Sequence, residues 1–362
     1  MRRVGLMLVV AGLLFVAVAS PSAEAAGSAP ALEQTTPTVA YNSDADLYFV
    51  MWVEDRGDGP DIYSKRLFSN ALPQGGPSRG GTAVVRSSRT SGPVRRQDPA
   101  LVYNSDIEEF YLVWSEETDP DDGQDVYGVR VSAAGYARSN PRKLVGGPGD
   151  QSHPAIAYHS TNDTYLLVWD DNARDIDEVW GLRVRANGIP NGSPFPMVQG
   201  ASNAQDPTVA RNGDGFLVAW VDDRNGNTDI FGRRVNSNGL PIGGTAGREY
   251  SMAGSLEEAF APSLDPASGT LVYNVYDPLT GLDIVGMEVY PSGTTRAARR
   301  NGIVVPAADQ ASPSTARNPS RSETVVVYAD NRSGEFDLYG IRVRNSRPSG
   351  RDFPILRDGY LP

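Results

Sequence analysis

The chain has no cysteine. Disulfides, thiol nucleophiles, thiolate zinc sites and iron–sulfur clusters are therefore excluded, and stability has to come from core burial. Lysine is nearly absent: Lys65 and Lys143 are the only two among 33 basic residues. Histidine occurs twice, as His153 and His159, and both read as surface or turn residues. Positive charge is in deficit, since 44 acidic residues give a net charge of −11. That balance argues against a nucleic-acid partner, which attracts basic patches. No phosphate loop or dinucleotide fingerprint is present, and no cofactor is expected. Long apolar runs are lacking too, with one exception near the start.

That exception is Val4 to Ala19, 16 residues between Met1-Arg2-Arg3 and Ser20-Pro21, followed by Ala23-Glu24-Ala25. A basic start, a short apolar core and a small-x-small site predict a secretory signal peptide over residues 1–25. The run is short for a bilayer span, which needs about 20 residues, and no later segment is long and apolar enough to span. The expectation is a secreted protein, extracellular, or periplasmic if the source has an outer membrane. A short segment, 26–32, precedes the folded part.

What the rest of the chain does have is a repeat. Gln97-Asp98-Pro99-Ala100-Leu101-Val102-Tyr103-Asn104 leads to Phe110–Trp114 and then to Asp125-Val126-Tyr127-Gly128-Val129-Arg130-Val131. Five more units carry the same order of features, with marker prolines at Pro37, Pro99, Pro154, Pro207, Pro262 and Pro313. The one long gap follows Pro73, where extra Gly, Ser and Arg read as a loop insertion. Each unit reads as four short strands separated by Asn, Asp, Ser and Gly turns. A period of about 50 residues with four strands is the size of a propeller blade. The predicted fold is all-β, a six-bladed β-propeller of four-stranded antiparallel blades. The blades fall at about 33–88, 97–147, 151–200, 205–254, 259–306 and 310–358. Trp52, Trp114, Trp169 and Trp220, with Tyr273 and Tyr328 as equivalents, read as blade-packing residues.

Asp222-Asp223-Arg224-Asn225-Gly226-Asn227-Thr228-Asp229-Ile230-Phe231 and Asp330-Asn331-Arg332-Ser333-Gly334-Glu335-Phe336-Asp337-Leu338-Tyr339 resemble the core of TolB-type propeller repeats. The resemblance covers essentially residues 33–358 and implies the same six-bladed fold. The strand-opening Ser-Pro-Asp-Gly of that family is absent, and so is its separate N-terminal domain, so no docking role is implied.

Two recurrent features share one predicted face. One is the glutamine before five of the six marker prolines, Gln34, Gln97, Gln151, Gln205 and Gln310, with Ala259 in the fifth unit, a candidate ligand-binding set. The other is the acidic loop between the second and third strands. In the fourth unit Asp223, Asn225, Asn227 and Asp229 place oxygens at alternate positions, as calcium loops begin, but Arg234 stands where the bidentate glutamate belongs. Asp and Asn in such turns also accept backbone N–H bonds, so turn formation is the first reading and calcium the alternative. Arg56, Arg224 and Arg332 are placed to pair with the adjacent loop residue. No catalytic residue is assigned, because no unit carries an acid that stands out from the repeat. The expected function is a non-catalytic binding or scaffold module for a protein or cell-surface polysaccharide. The alternative is a glycan-active enzyme with a carboxylate pair in the central funnel.

Overall fold

A computed structural model gives the protein's structure and describes residues 34–357 apart from short segments at 57–58, 78–79, 87–93, 120–122, 175, 199, 201, 243–248, 255–257, 266, 297–300 and 305–307. The proposed signal peptide and the segment 26–32 lie outside the described residues. The fold is a six-bladed β-propeller. Blades 1 to 5 are four-stranded antiparallel sheets paired in sequence order, and in blade 6 the third strand, Asp337–Arg344, pairs with both a two-residue strand, Arg347–Pro348, and the outer strand Phe353–Leu356. The innermost strands are Thr35–Asn42, Arg95–Asn104, Gln151–His159, Ala204–Asn212, Ala259–Asp265 and Gln310–Asn318. They touch one another in that order, and the last touches the first, so the ring closes. The outer strands are Thr82–Val85, Arg142–Val145, Phe195–Val198, Tyr250–Ala253, Asn301–Val304 and Phe353–Leu356. Helix among the described residues is limited to single 3₁₀ turns at Ser160–Asn162 and Pro319–Arg321, and no helix is long and apolar enough to cross a membrane.

The core lies between blades. Among the described residues six of the apolar clusters each draw on two neighbouring blades, and the cluster joining blades 1 and 6 is one of them. The second strands are buried on both faces for this reason, as in Leu47–Asp55, where only the ends show any exposure. Trp52, Trp114, Trp169 and Trp220 are at most 1 % exposed, and each packs against the preceding blade.

An indole N–H buried with the ring needs an acceptor. It finds one two residues on: Trp52 with Glu54 at 3.0 Å, Trp114 with Glu116 at 2.9 Å and Trp220 with Asp222 at 3.1 Å. Arginine answers the same acid. Arg56 reaches Glu54, Arg224 reaches Asp222 and Arg332 reaches Asp330. The guanidinium then lies over the third-strand ring, Tyr63, Phe231 or Tyr339. Each of these arginines thus pairs with the acid two residues back, whose side chain the strand end turns inward beneath it, and Arg224 also reaches Glu249 while Arg332 also reaches Asp352.

Candidate functional site

The innermost strands all begin with the same irregularity. Between Gln97 and Ala100 two residues stand opposite one on the next strand, and the matching shift occurs in all six blades. This is a β-bulge. The residue before the marker proline adopts a left-handed backbone each time: Thr36, Asp98, His153, Asp206, Ala261 and Ser312, with φ between 43° and 52°. That conformation is rare outside glycine. It re-aims one side chain per blade at one end of the channel.

The six positions are chemically unequal. Blades 1, 5 and 6 supply Thr, Ala and Ser, whereas blades 2, 3 and 4 supply Asp98, His153 and Asp206. These three converge. His153 Nε2 lies 3.3 Å from Asp206 Oδ1 and 3.8 Å from Asp98 Oδ2. On its other side Nδ1 lies 3.0 Å from Asp170 Oδ1, and Ser152 Oγ donates to Asp170 Oδ2 at 3.1 Å. Asp170 follows Trp169, a place held by Val53, Ser115, Val221, Asn274 and Ala329 elsewhere. It is therefore an acid that does stand out from the repeat, and the blades are not equivalent. His153 is correspondingly a channel-end residue and not a turn histidine. His159, the other one, is buried against Phe216.

The electrostatics follow from crowding several carboxylates round one imidazole in a half-buried place. Burial opposes charge on His153, but Asp170, Asp206 and Asp98 override it and hold the imidazole well above its ordinary value. Burial raises Asp98 and Asp206; His153 relieves them in part, and neighbouring carboxylates raise them further. Asp177, at the approach to the third strand of blade 3, is pushed up to about 6 by burial and then by Asp170. The Asp170 side chain is 5 % exposed, while Asp98, His153 and Asp206 are 19–31 % exposed. Solvent, and hence a ligand, reaches the last three.

The sequence-derived candidates lie elsewhere on the same loops. Gln34, Gln151 and Gln310 are buried, with Gln97 and Gln205 half-buried. Gln151 Nε2 donates to the Pro148 and Gly149 carbonyls at 3.2 Å, and Gln310 Nε2 donates to the Ala308 carbonyl. Asp223 accepts from the Asn203 backbone N–H at 3.0 Å and from its Nδ2 at 2.8 Å. Asn172 and Asn331 make the same latch with Asp150 and Asp309. Asn225 Nδ2 donates to Asp229 Oδ2 at 2.9 Å. Asn227 also has a partner. Asp223 and the Asn225–Asp229 pair are thus engaged with different partners, and no group of three or more acidic or histidine side chains placed to hold a metal occurs among the described residues.

The cluster itself had a readable signal. Set in columns, the residue before each marker proline and the residue after each Trp or Tyr vary in charge, and only unit 3 carries ionisable groups in both columns.

No protein-family model and no curated protein matches the chain. Solved structures do. A thermostable family-43 glycoside hydrolase aligns with a TM-score of 0.50 at 12% identity, over 72% of this chain and 95% of its own. Trypanosoma rangeli sialidase aligns with a TM-score of 0.53 at 12% identity over 84% of this chain, which spans only 54% of the sialidase. TolB from Acinetobacter baumannii aligns with a TM-score of 0.43 at 11% identity, over 88% of this chain and 64% of its own. At such identities the first two likenesses concern the fold alone, and the third is too loose to argue from.

Proposed function

We propose that the protein is a secreted binding propeller whose ligand, a segment of cell-surface polysaccharide, sits over blades 2–4 at the channel end marked by His153. The observation that carries this reading is the convergence of Asp98, His153 and Asp206 from three blades onto one solvent-reached spot. Carboxylates there accept from sugar hydroxyls, and the imidazolium Nε2–H donates to a ring or hydroxyl oxygen; charge-assisted bonds of this kind are the stronger ones. Three left-handed residues hold the geometry before any ligand arrives, which lowers the ordering cost of binding. Gln97 and Gln205 stand one residue from Asp98 and Asp206 and form the candidate rim.

The test is calorimetric titration of the mature protein with a panel of soluble polysaccharide fragments. A binder should weaken at least about tenfold, or about 1.4 kcal/mol, in Asp206→Asn and in His153→Gln. Equal affinity in wild type and both variants would move the site off the channel end. Binding of basic peptides with no glycan bound would replace the polysaccharide by a protein partner. One observation favours hydrolysis of the same ligand as a second reading: Asp177, held up at about 6, is positioned in pH to give a proton. New reducing ends that appear with wild type and vanish in Asp177→Asn would establish it.

A further inference from the structure

The outer hairpins of the ring join the third strand of each blade to the fourth. Strands alternate in direction within a blade, so these hairpins stand at the end of the ring opposite to His153. All six are closed by the same backbone bond: Gln74 N to Arg66 O, Arg138 N to Arg130 O, Asn191 N to Arg183 O, Ile242 N to Arg234 O, Arg296 N to Glu288 O and Ser349 N to Arg342 O. In the first five a further bond, as from Ser132 N to Tyr136 O, closes a turn of one shape. Its fourth residue is left-handed, as Ala71 or as Gly135, Gly188, Gly239 and Gly293. Neighbouring blades are tied at this level. Asn162 Nδ2 donates to Ser237 O at 2.9 Å, Asn212 Nδ2 to Pro291 O at 2.8 Å and Arg342 Nη2 to Asn70 O at 2.6 Å. The hairpins therefore form one continuous rim.

The rim inverts the charge of the chain. From one bonded residue to the other, the six segments hold ten arginines and a single acid, Glu288, although the net charge of the protein is −11. Seven of these arginines are exposed. Among the described residues carboxylates answer three of the seven, Arg138 by Glu109, Arg296 by Glu288 and Arg344 by Glu323. The other four, Arg66, Arg185, Arg234 and Arg347, have no such partner there. Nearer the axis this face does hold acids, but hydroxyls of Tyr41, Tyr103 and Tyr158 donate to Asp46, Asp44 and Asp106. Positive charge is thus a property of the rim.

The same hairpins carry apolar side chains into solvent. Leu72, Tyr136, Ile189 and Leu240 hold one equivalent place in blades 1 to 4, just after the left-handed residue, and are 38–60 % exposed. With Phe68, Ile242 and Tyr290 they make seven of the ten large apolar residues that are exposed among the described ones. Single exposed apolar residues are ordinary, whereas a concentration of them interleaved with arginine marks an interaction surface. The tips are spaced round a ring and not gathered into one patch, so a pocket on a protein partner does not take them together. A bilayer surface does: apolar and tyrosine side chains enter its interface while arginines reach anionic headgroups.

We propose that this rim docks the protein on a bilayer containing anionic phospholipid, with Leu72, Tyr136, Ile189 and Leu240 entering the interface and Arg66, Arg185, Arg234 and Arg347 against lipid phosphate. The channel end marked by His153 then faces away from the membrane. The inference is independent of the polysaccharide reading, since it uses the opposite face and other residues.

The test is sedimentation of the mature protein with vesicles of phosphatidylcholine alone, and of equal parts phosphatidylcholine and phosphatidylglycerol. The protein should bind the second and not the first, and binding should fall as sodium chloride rises. A basic residue near an anionic surface contributes about fivefold, so Arg185→Gln combined with Arg234→Gln should weaken binding at least about tenfold. The chain has no cysteine, so Leu240→Cys and Leu279→Cys each take one polarity-sensitive fluorophore. Leu279 is exposed on the loop between Thr270–Asp277 and Gly281–Glu288, at the other end of the ring. The label at 240 should shift to the blue with anionic vesicles, and the label at 279 should not. All these changes fall on exposed side chains, so the fold is retained. No sedimentation with either vesicle, equal sedimentation with both, unchanged binding in the arginine variant, or matching shifts of the two labels would overturn the proposal. Self-association without vesicle binding, lost in the arginine variant, would replace the bilayer by the acidic end of a second copy.

Discussion

His153 departs from the five residues that take its place round the ring, and the departure has a consequence in pH. Its imidazole is held above the ordinary value in the folded protein by Asp170, Asp206 and Asp98, against the effect of burial. A base whose pKa rises on folding contributes stability that is fully present below its unfolded value, about 6.5, and is lost as pH rises through the folded value. Asp98, Asp206 and Asp177 are raised as well. Acids of that kind also lose stability with rising pH; for Asp177 the loss runs from its unfolded value of about 3.9 to its folded value of about 6. All four groups therefore act in one direction. Urea unfolding of the wild type should show stability falling as pH rises above about 6.5, and His153→Gln should flatten that fall. At pH 6 the variant should be weaker by about 1–3 kcal/mol, between the values for exposed and buried pairs, because the side chains are partly open to solvent. A slope identical in both proteins would show that the imidazole stays neutral.

At the scale of the strand, the bulge that aims His153 is repeated whether or not its residue does anything. Ala261 has φ 45° and no polar group to present. Left-handed backbone costs an L-residue about 1–2 kcal/mol, whereas glycine in an ordinary strand interior is destabilising by about 0.5–1 kcal/mol. Ala261→Gly should therefore leave the urea midpoint unchanged or raise it, and a clear fall in the midpoint would mean that the strain is absent in solution. The same bulge explains what sequence reading found and what it missed. The four strands of each unit were legible because Phe110–Trp114 and its counterparts pack on both faces and so keep one composition in every blade. The channel-end cluster was not found. Strict alternation gives no warning of a bulge, and a residue before proline is normally held extended, so Asp98 and Asp206 read as ordinary strand residues and His153 as a surface or turn histidine. Their recurring neighbour glutamines drew attention instead, although Gln151 and Gln310 turn inward to backbone carbonyls.

On the scale of the whole ring, the joint between the last blade and the first is made without a shared strand, since all six outer strands belong to their own units. What closes it is packing of Val39, Trp52 and Leu67 against Val325, Leu338 and Ile355, with backbone bonds from Gln34 N to Phe336 O at 3.1 Å and from Arg357 N to Pro77 O at 3.0 Å. This joint is built from buried aliphatic and aromatic residues, as the other five are, so it should be of similar strength. Two isoleucines allow a matched comparison. Ile355 lies third in the outer strand of blade 6 and packs toward blade 1, and Ile303 lies third in that of blade 5 and packs toward blade 6. They are 0 % and 4 % exposed, so truncation should leave cavities of similar kind, each costing about 2–5 kcal/mol. Opening either joint would uncover an apolar face on both neighbours and leave two sheet edges without cover. A partly opened ring should therefore be no more stable than the unfolded chain. Ile303→Ala and Ile355→Ala should then each unfold in one cooperative step, with losses that agree within about 1 kcal/mol, inside the scatter found for a single kind of truncation. If the closing joint is instead a weaker latch, Ile355→Ala alone will show an early transition in urea, detected by fluorescence of Trp52 before that of the other tryptophans, and equal closure will be disproved.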